Sequence, residues 1–112
     1  MKKPLNGSIK KLPPVWAKKV DRVIDAVVIE FGFDDESDIW ERTRVPYRCW
    51  ARWIVWSLMI EMGLSANQTG IRTGWNYASV SYGVKRLRED IVRNPDIRGI
   101  YNRVSANIDG ES

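Results

Sequence analysis

Apolar residues recur at steps of three and four along most of the chain, a spacing that predicts helices rather than strands. The first run follows Pro13-Pro14, where proline is tolerated in the opening turn of a helix, and ends before Gly32. Its apolar positions are Trp16, Val20, Val23, Ile24, Val27, Val28 and Phe31. We expect this face to lie in the core.

An acidic connector, residues 34–38, separates the first helix from a short helical turn through Ile39 and Trp40. We expect Ser37 or Asp38 to cap that turn, because short polar side chains accept hydrogen bonds from the first free amides of a helix.

A second long helix is predicted to begin at Pro46 and to stop at Gly63, with a broad apolar face. Its apolar residues are Trp50, Trp53, Ile54, Val55, Leu58 and Met62. Trp50, Trp53 and Trp56 step by three and sweep an arc too wide for one narrow stripe. At least one tryptophan should therefore lie at the edge of the core, either as a lid or as a partner contact.

Two capped helices are predicted next, separated by a glycine turn. Ser65 and Gln68 form the pattern of a capping box, which begins a helix of about two turns. Gly70 lies inside this helix, where glycine is costly, so we expect a neighbouring helix to approach it closely. Gly74 supplies the turn, and Asn76 caps the following helix.

That following helix has a buried stripe, an opposite polar arc and an end at Asn94-Pro95. The stripe is Val80, Val84, Leu87 and Ile91, and the arc carries Ala78, Ser79, Ser81, Tyr82, Lys85, Arg86 and Arg88. A final helix is predicted from about Asp96 to Asn107. The sequence thus predicts an all-α fold, a compact helical bundle with a helix-turn-helix at about 65–92. We divide the chain into a flexible basic arm (1–12), one helical domain (13–108) and a flexible tail (109–112).

Charge is unevenly distributed along the 112 residues, whose net charge is +4. Residues 42–93 contain nine Lys and Arg against three acidic residues, a net +6, and the flanking segments are each slightly acidic. Because the excess coincides with the predicted helix-turn-helix, it favours a polyanionic partner, double-stranded DNA.

The absent residue types exclude several classes of site. With no histidine and only Cys49, the chain cannot form an internal disulfide or a catalytic triad, and a zinc site is improbable. No apolar stretch is long enough to span a membrane, and no apolar signal region follows the basic N-terminus. We therefore expect a cytoplasmic protein that is not an enzyme and that uses neither a metal nor a cofactor.

The second helix of a helix-turn-helix presents its N-terminal residues to base edges in the major groove. Trp75, Asn76, Tyr77, Ala78 and Ser79 occupy that region here. Asparagine can pair with adenine and alanine can contact a thymine methyl, although Asn76 can equally be a plain N-cap and Tyr77 a packing residue. Further residues predicted to contact DNA are Tyr82, Lys85, Arg86, Arg48 and Arg52, the last four through phosphates.

From about Val20 to Val104 the chain resembles the C-terminal DNA-binding domain of the bacterial replication initiator DnaA, a TrpR-like helical fold. The shared features are the order of elements, the Ala51-Arg52 of the long helix, and Leu64-Ser65 before the short helix. The segment Asn76-Tyr-Ala-Ser-Val-Ser-Tyr-Gly-Val-Lys-Arg-Leu87 falls where the family has its Asp-His-Ser/Thr-Thr-Val signature. The resemblance implies that Arg44 reaches the minor groove and that Arg52 contacts DNA.

The base-reading positions nevertheless depart from that family. Trp53 replaces the family's glutamine, and Trp75 replaces its arginine. Asn76-Tyr77 replaces its Asp-His pair, and Ala78 replaces the first of its two small hydroxyl residues. Only the second of these, Ser79, is kept. The resemblance therefore implies the fold and a DNA partner but not the same target sequence. The chain also has no Gly-x-x-x-x-Gly-Lys-Ser/Thr nucleotide-binding loop.

Two functions follow from these patterns. The first is a small double-stranded DNA-binding protein that regulates replication or transcription, of a size that fits a phage or plasmid gene. The alternative is a protein-interaction module that keeps the fold and uses its tryptophan-rich surface to bind or sequester a replication or transcription factor. Six tryptophans, two of them at altered DNA-contacting positions, support the alternative.

Overall fold

Helices account for most of the chain that the structure describes. The computed structural model describes the backbone of residues 14–110 and the side chains of residues 16–108, and this part contains helices but no strand. The helices are α1 Pro14–Phe31, α2 Ser37–Trp40, α3 Pro46–Glu61, α4 Ala66–Thr73, α5 Tyr77–Arg93 and α6 Pro95–Gly110. The predicted all-α fold is confirmed, and the predicted basic arm at 1–12 lies outside the described residues.

The main core forms where α1, α3 and α6 meet. Its fully buried side chains include Val23 and Val27 of α1, Ile54 of α3 and Val104 of α6. The predicted apolar face of α1 is confirmed, because its three- and four-residue spacing places these side chains on the side that faces α3 and α6. Burying this apolar surface supplies the main stabilisation of the bundle.

A second, smaller cluster holds α5 against α3. Trp56 is only 1% exposed and packs with Val80 and Val84 of α5, and the half-buried Trp53 and Trp75 close over them. The expectation that one tryptophan of α3 lies at the core edge is confirmed, since Trp56 is buried while its neighbour Trp53 is not.

The start of α2 differs from its prediction. Neither Ser37 nor Asp38 caps it; instead the Asp35 carboxylate accepts a hydrogen bond from the Ser37 backbone amide at 2.8 Å. Asp38 faces back and accepts from the Asp34 amide at 3.0 Å. The side chain that reaches the free amide belongs to the preceding turn, so the local sequence alone could not distinguish these acids.

The other helix ends lie close to their predicted positions, with one extension. α1 ends before Gly32 and α3 ends at Glu61, just before the predicted stop. α6 begins at Pro95 and continues to Gly110, beyond the predicted end at Asn107 and into the segment expected to be a tail. None of the described helices is both long and apolar enough to cross a membrane.

Candidate nucleic-acid interface

The short helix α4 and the long helix α5 are joined by residues 74–76, as predicted. The capping box is formed: Ser65 Oγ accepts from the Gln68 amide at 3.0 Å, and Gln68 Oε1 accepts from the Ser65 amide at 2.8 Å. Gly74 has a φ of 80°, a left-handed conformation that side chains rarely adopt, and it terminates α4. These local signals fix where α4 begins and where it ends.

The glycine inside α4 is explained by the turn and not by a neighbouring helix. A Cβ atom at Gly70 would lie 2.3 Å from the backbone carbonyl oxygen of Trp75. The Gly70 carbonyl also accepts the Trp75 amide at 2.9 Å. The expected close approach is therefore real, but its partner is the backbone that leads into α5.

Asn76 is the N-cap of α5, as one of its two interpretations predicted. Its Oδ1 accepts from the amides of Ala78 at 2.8 Å and Ser79 at 3.2 Å. The carboxamide oxygen is thus occupied, and only the amino group of this side chain remains to meet a base. A base contact by Asn76 stays a prediction.

The N-terminal half of α5 presents an aromatic and small-residue surface to solvent. Tyr77 is 62% exposed and Tyr82 is 55% exposed, and Ala78 and Lys85 are exposed beside them. Ser79 is half-buried. This is the solvent-exposed surface of α5 that a partner could contact. It lies in the part of the helix that was predicted to read bases.

Arg52 does not lie on this surface, which corrects its expected role as a phosphate contact. The side chain is only 4% exposed. Its guanidinium donates to the carbonyl oxygens of Ile39 at 3.3 Å, Glu41 at 2.8 Å and Thr43 at 3.3 Å. Burial lowers the pKa of Arg52, but an arginine this close to three carbonyls stays charged. Arg52 therefore ties the α2–α3 connector to α3.

Trp75 is held in place by arginines. The guanidinium carbon of Arg42 lies 4.0 Å from the centre of its ring, and that of Arg52 lies 4.4 Å from it. Arg42 also donates to the Gly74 carbonyl at 3.2 Å, and the edge of Trp56 meets the same indole at 5.6 Å between ring centres. Cation–π contacts of this kind fix the ring at the entrance to α5. Sequence reasoning missed Arg42, because its only signal was its position in the basic segment.

Two other predicted phosphate contacts are already paired with acids. Arg48 lies 2.9 Å from Glu41 and 3.9 Å from Asp38. Arg86 donates to the Tyr82 hydroxyl at 2.9 Å and lies 3.9 Å from Glu89. Arg48 is directed towards the acidic connector, so it does not join the surface of α5. Arg86 keeps a place beside Tyr82, but with its charge partly neutralised.

Arg44 and Lys85 are the predicted DNA contacts that keep an unpaired charge. Both are exposed, and neither forms an ion pair within residues 16–108. Arg44 precedes α3 and lines a hollow of about 400 Å³ that also includes Trp53 and Arg86. Lys85 lies one turn beyond Tyr82 on α5. These two side chains are therefore the exposed, unpaired cations among the predicted site residues.

Between α3 and α5 lies an apolar depression of about 380 Å³, which we call the aromatic groove. Its lining residues are Cys49, Arg52, Trp53, Trp56, Trp75, Ala78, Ser79 and Tyr82. Trp53 and Tyr82 meet edge to face, with 6.4 Å between ring centres. The predicted site residues Trp53, Trp75, Ala78, Ser79 and Tyr82 are thus brought together, whereas Arg48 points away from them.

A further residue that sequence reasoning missed is Gly83, which lets α5 approach α3. A Cβ atom there would lie 2.3 Å from Cδ1 of Trp53 and 2.9 Å from Cε3 of Trp56. The absence of a side chain at this position allows both indoles to pack directly against the backbone of α5. Its signal in the sequence was a glycine inside a strongly amphipathic helix, which is typical of close packing.

The residues described by the structure contain no cluster of three or more acidic or cysteine side chains that could hold a metal ion. Neither a known protein family nor a curated protein matches this chain.

Proposed function

We propose that this protein is a non-enzymatic binder of double-stranded DNA, with α4 and α5 as a helix-turn-helix and α5 in the major groove. The observation that carries the proposal is the exposed start of α5, together with the exposed cations Arg44, just before α3, and Lys85, further along α5. An α-helix fits the width of the major groove, and its first turns reach the base edges.

The distribution of basic residues supports this choice. Two of the cations, Arg42 and Arg44, lie in the connector between α2 and α3, and the third, Lys85, lies on α5. Arg42 also packs against Trp75 at the start of α5. Cations from the connector and from α5 itself would thus be available to phosphates beside the major groove. The order of helices also supports a relation to the DNA-binding domain of DnaA, and hence a role in replication or transcription.

A shallower salt dependence is expected when Lys85 or Arg44 is replaced by alanine. Each phosphate contact contributes about 0.9 to the slope of log K against log salt, so each variant should lose about one unit. The measurement is fluorescence anisotropy of a labelled mixed-sequence duplex over a salt series. Lys19→Ala, which removes an exposed lysine of α1, is the matched control and should keep the full slope.

Two results would contradict the proposal. One is no duplex binding by the wild-type protein at low salt. The other is equal slopes for the Lys85, Arg44 and Lys19 variants, because the charges of Arg44 and Lys85 would then play no special part.

Duplex DNA at saturation is expected to slow the alkylation of Cys49 by iodoacetamide severalfold. Cys49 is the only cysteine in the sequence, is half-buried, and lines both the aromatic groove and the hollow beside Arg44. A duplex seated there would cover the thiol. Raising the salt until the DNA dissociates should restore the rate of the free protein, and an unchanged rate at saturation would place the DNA elsewhere.

One observation favours a second candidate, a protein-interaction module. The indole N–H of Trp75 has no acceptor among residues 16–108, whereas those of Trp40, Trp50 and Trp56 each do. Tryptophans with a free donor are frequent anchors of protein interfaces. This function requires a stable complex with a protein and no binding to duplex DNA at low salt.

A further inference from the structure

We propose that the aromatic groove receives the 5-methyl groups of pyrimidines in the major groove of duplex DNA, thymine above all. This inference rests on the proposed DNA-binding function and assigns its specificity. It predicts that the protein reads methyl groups at the positions where Trp53, Trp75, Ala78 and Tyr82 meet the bases.

The position of the aromatic groove supports this assignment. Ala78 and Ser79 belong to the first turn of α5, and Tyr82 lies one turn further along the same helix. Trp53 of α3 and Trp75 of the turn form the opposite wall. The groove therefore opens at the part of α5 that a helix in the major groove would bring closest to base edges.

The aromatic groove is mostly apolar, and its hydrogen-bonding groups without a partner among residues 16–108 are few, the Ser79 hydroxyl and the Trp75 indole N–H among them. The guanidinium of Arg52 is directed to three backbone carbonyls, and the Asn76 carboxamide oxygen caps α5. What remains is largely aromatic ring and a methyl side chain. In the major groove the only apolar group on a natural base pair is the thymine 5-methyl, which is typically read by such contacts.

The charges around the aromatic groove identify the occupant as DNA. Arg44 lines the adjoining hollow together with Arg86 and its partner Asp90. This hollow shares Cys49 and Trp53 with the groove, and Lys85 follows Tyr82 on α5. Both cations are unpaired within the described residues. An apolar depression with exposed cations near it suits a methyl group that lies between two phosphate backbones.

The test compares two pairs of short duplexes that differ only in pyrimidine 5-methyl groups. The first pair contains thymine or uracil at the same positions, and the second contains 5-methylcytosine or cytosine. We expect the methylated member of each pair to bind more tightly, by roughly fourfold for each methyl group that is fully buried. Affinities are measured by fluorescence anisotropy at one fixed low salt concentration.

Two exposed tyrosines of α5 provide a matched pair of variants. Tyr82→Ser removes a wall of the aromatic groove, and the methyl preference should fall towards one. Tyr77→Ser removes a tyrosine that does not line the groove, and the preference should persist whatever the absolute affinity. Ala78→Ser, a small change at an exposed groove position, should also reduce the methyl preference. It replaces Tyr82→Ser as the test if the circular dichroism spectrum shows that Tyr82→Ser alters the fold.

The outcomes separate the two proposals. Duplex binding with equal affinities in both pairs would overturn the methyl assignment and leave the DNA-binding function standing. A preference that survives in both the Tyr82 and Ala78 variants would overturn the assignment to the aromatic groove. No binding to any of the duplexes would overturn the proposed function together with this inference.

Discussion

Arg52→Met is expected to lower the free energy of unfolding by about 3 kcal/mol, because charge-assisted hydrogen bonds are strong and unsatisfied buried acceptors are costly. Methionine fills a similar volume but donates nothing to the carbonyls of Ile39, Glu41 and Thr43. It would also remove one of the two cations that lie against Trp75. Urea denaturation followed by circular dichroism measures the loss.

The matched control is Arg44→Met, the same change at an exposed arginine eight residues earlier. We expect its stability to stay within about 0.5 kcal/mol of the wild type, while its affinity for DNA falls. The two arginines should thus separate: Arg52 supports the fold and Arg44 supports binding. If the Arg52 variant kept the stability of the wild type and showed a shallower salt slope, this prediction would be wrong. Arg52 would then contact DNA, as the DnaA resemblance implied.

Gly70→Ala is expected to destabilise the protein by about 2 kcal/mol, even though alanine favours helices. The new Cβ would lie 2.3 Å from the Trp75 carbonyl oxygen, a backbone atom that can move only if the turn moves. Overpacking of this kind costs about 1–3 kcal/mol, which exceeds the helix-propensity gain of about 0.5–1 kcal/mol. Thermal unfolding should show a decrease in Tm of about 10 °C.

Gly99→Ala in α6 is the control for the helix-propensity effect. The nearest atom to its Cβ would be Nη1 of Arg103 at 3.4 Å, the end of an exposed side chain that pairs with Glu30 at the surface. We therefore expect this variant to be as stable as the wild type or up to about 1 kcal/mol more stable. If Gly70→Ala behaved in the same way, the turn would have to tolerate a shift of the backbone at Trp75.

The Gly70 substitution should also affect the proposed interface. A displaced Trp75 would lose its contacts with Arg42 and Trp56, and the wall of the aromatic groove would move with it. The methyl preference proposed above should therefore fall in Gly70→Ala but not in Gly99→Ala.

Much of the local structure could be predicted from the sequence because its causes are local. The capping box at Ser65 and Gln68, the N-cap at Asn76 and the left-handed turn at Gly74 each depend on residues within a few positions of one another. The apolar spacing of α1 likewise determined which of its faces is buried. Even so, the predicted cap of α2 was wrong, because several neighbouring acids could reach the same amide.

The candidate site was predicted less well, because a charged side chain has the same sequence signal whatever it contacts. Arg44, Arg48, Arg52 and Arg86 all counted as basic residues in a basic segment. In the structure one is exposed and unpaired, two are paired with acids, and Arg52 is buried beneath the connector. The contacts that distinguish these four arginines reach residues up to thirteen positions away, as the hydrogen bond from Arg52 to the Ile39 carbonyl shows.

By itself the sequence determined the long helices, the caps at Ser65 and Asn76 and the apolar face of α1, since periodicity and hydrogen bonding within a turn set these features. Only the tertiary structure decided which cations remain free and that Trp53, Trp75 and Tyr82 enclose one groove. The physical reason is that burial and pairing depend on what packs across from a residue. Gly70 and Gly83 show this directly, because their lack of a side chain matters only where another part of the chain comes close.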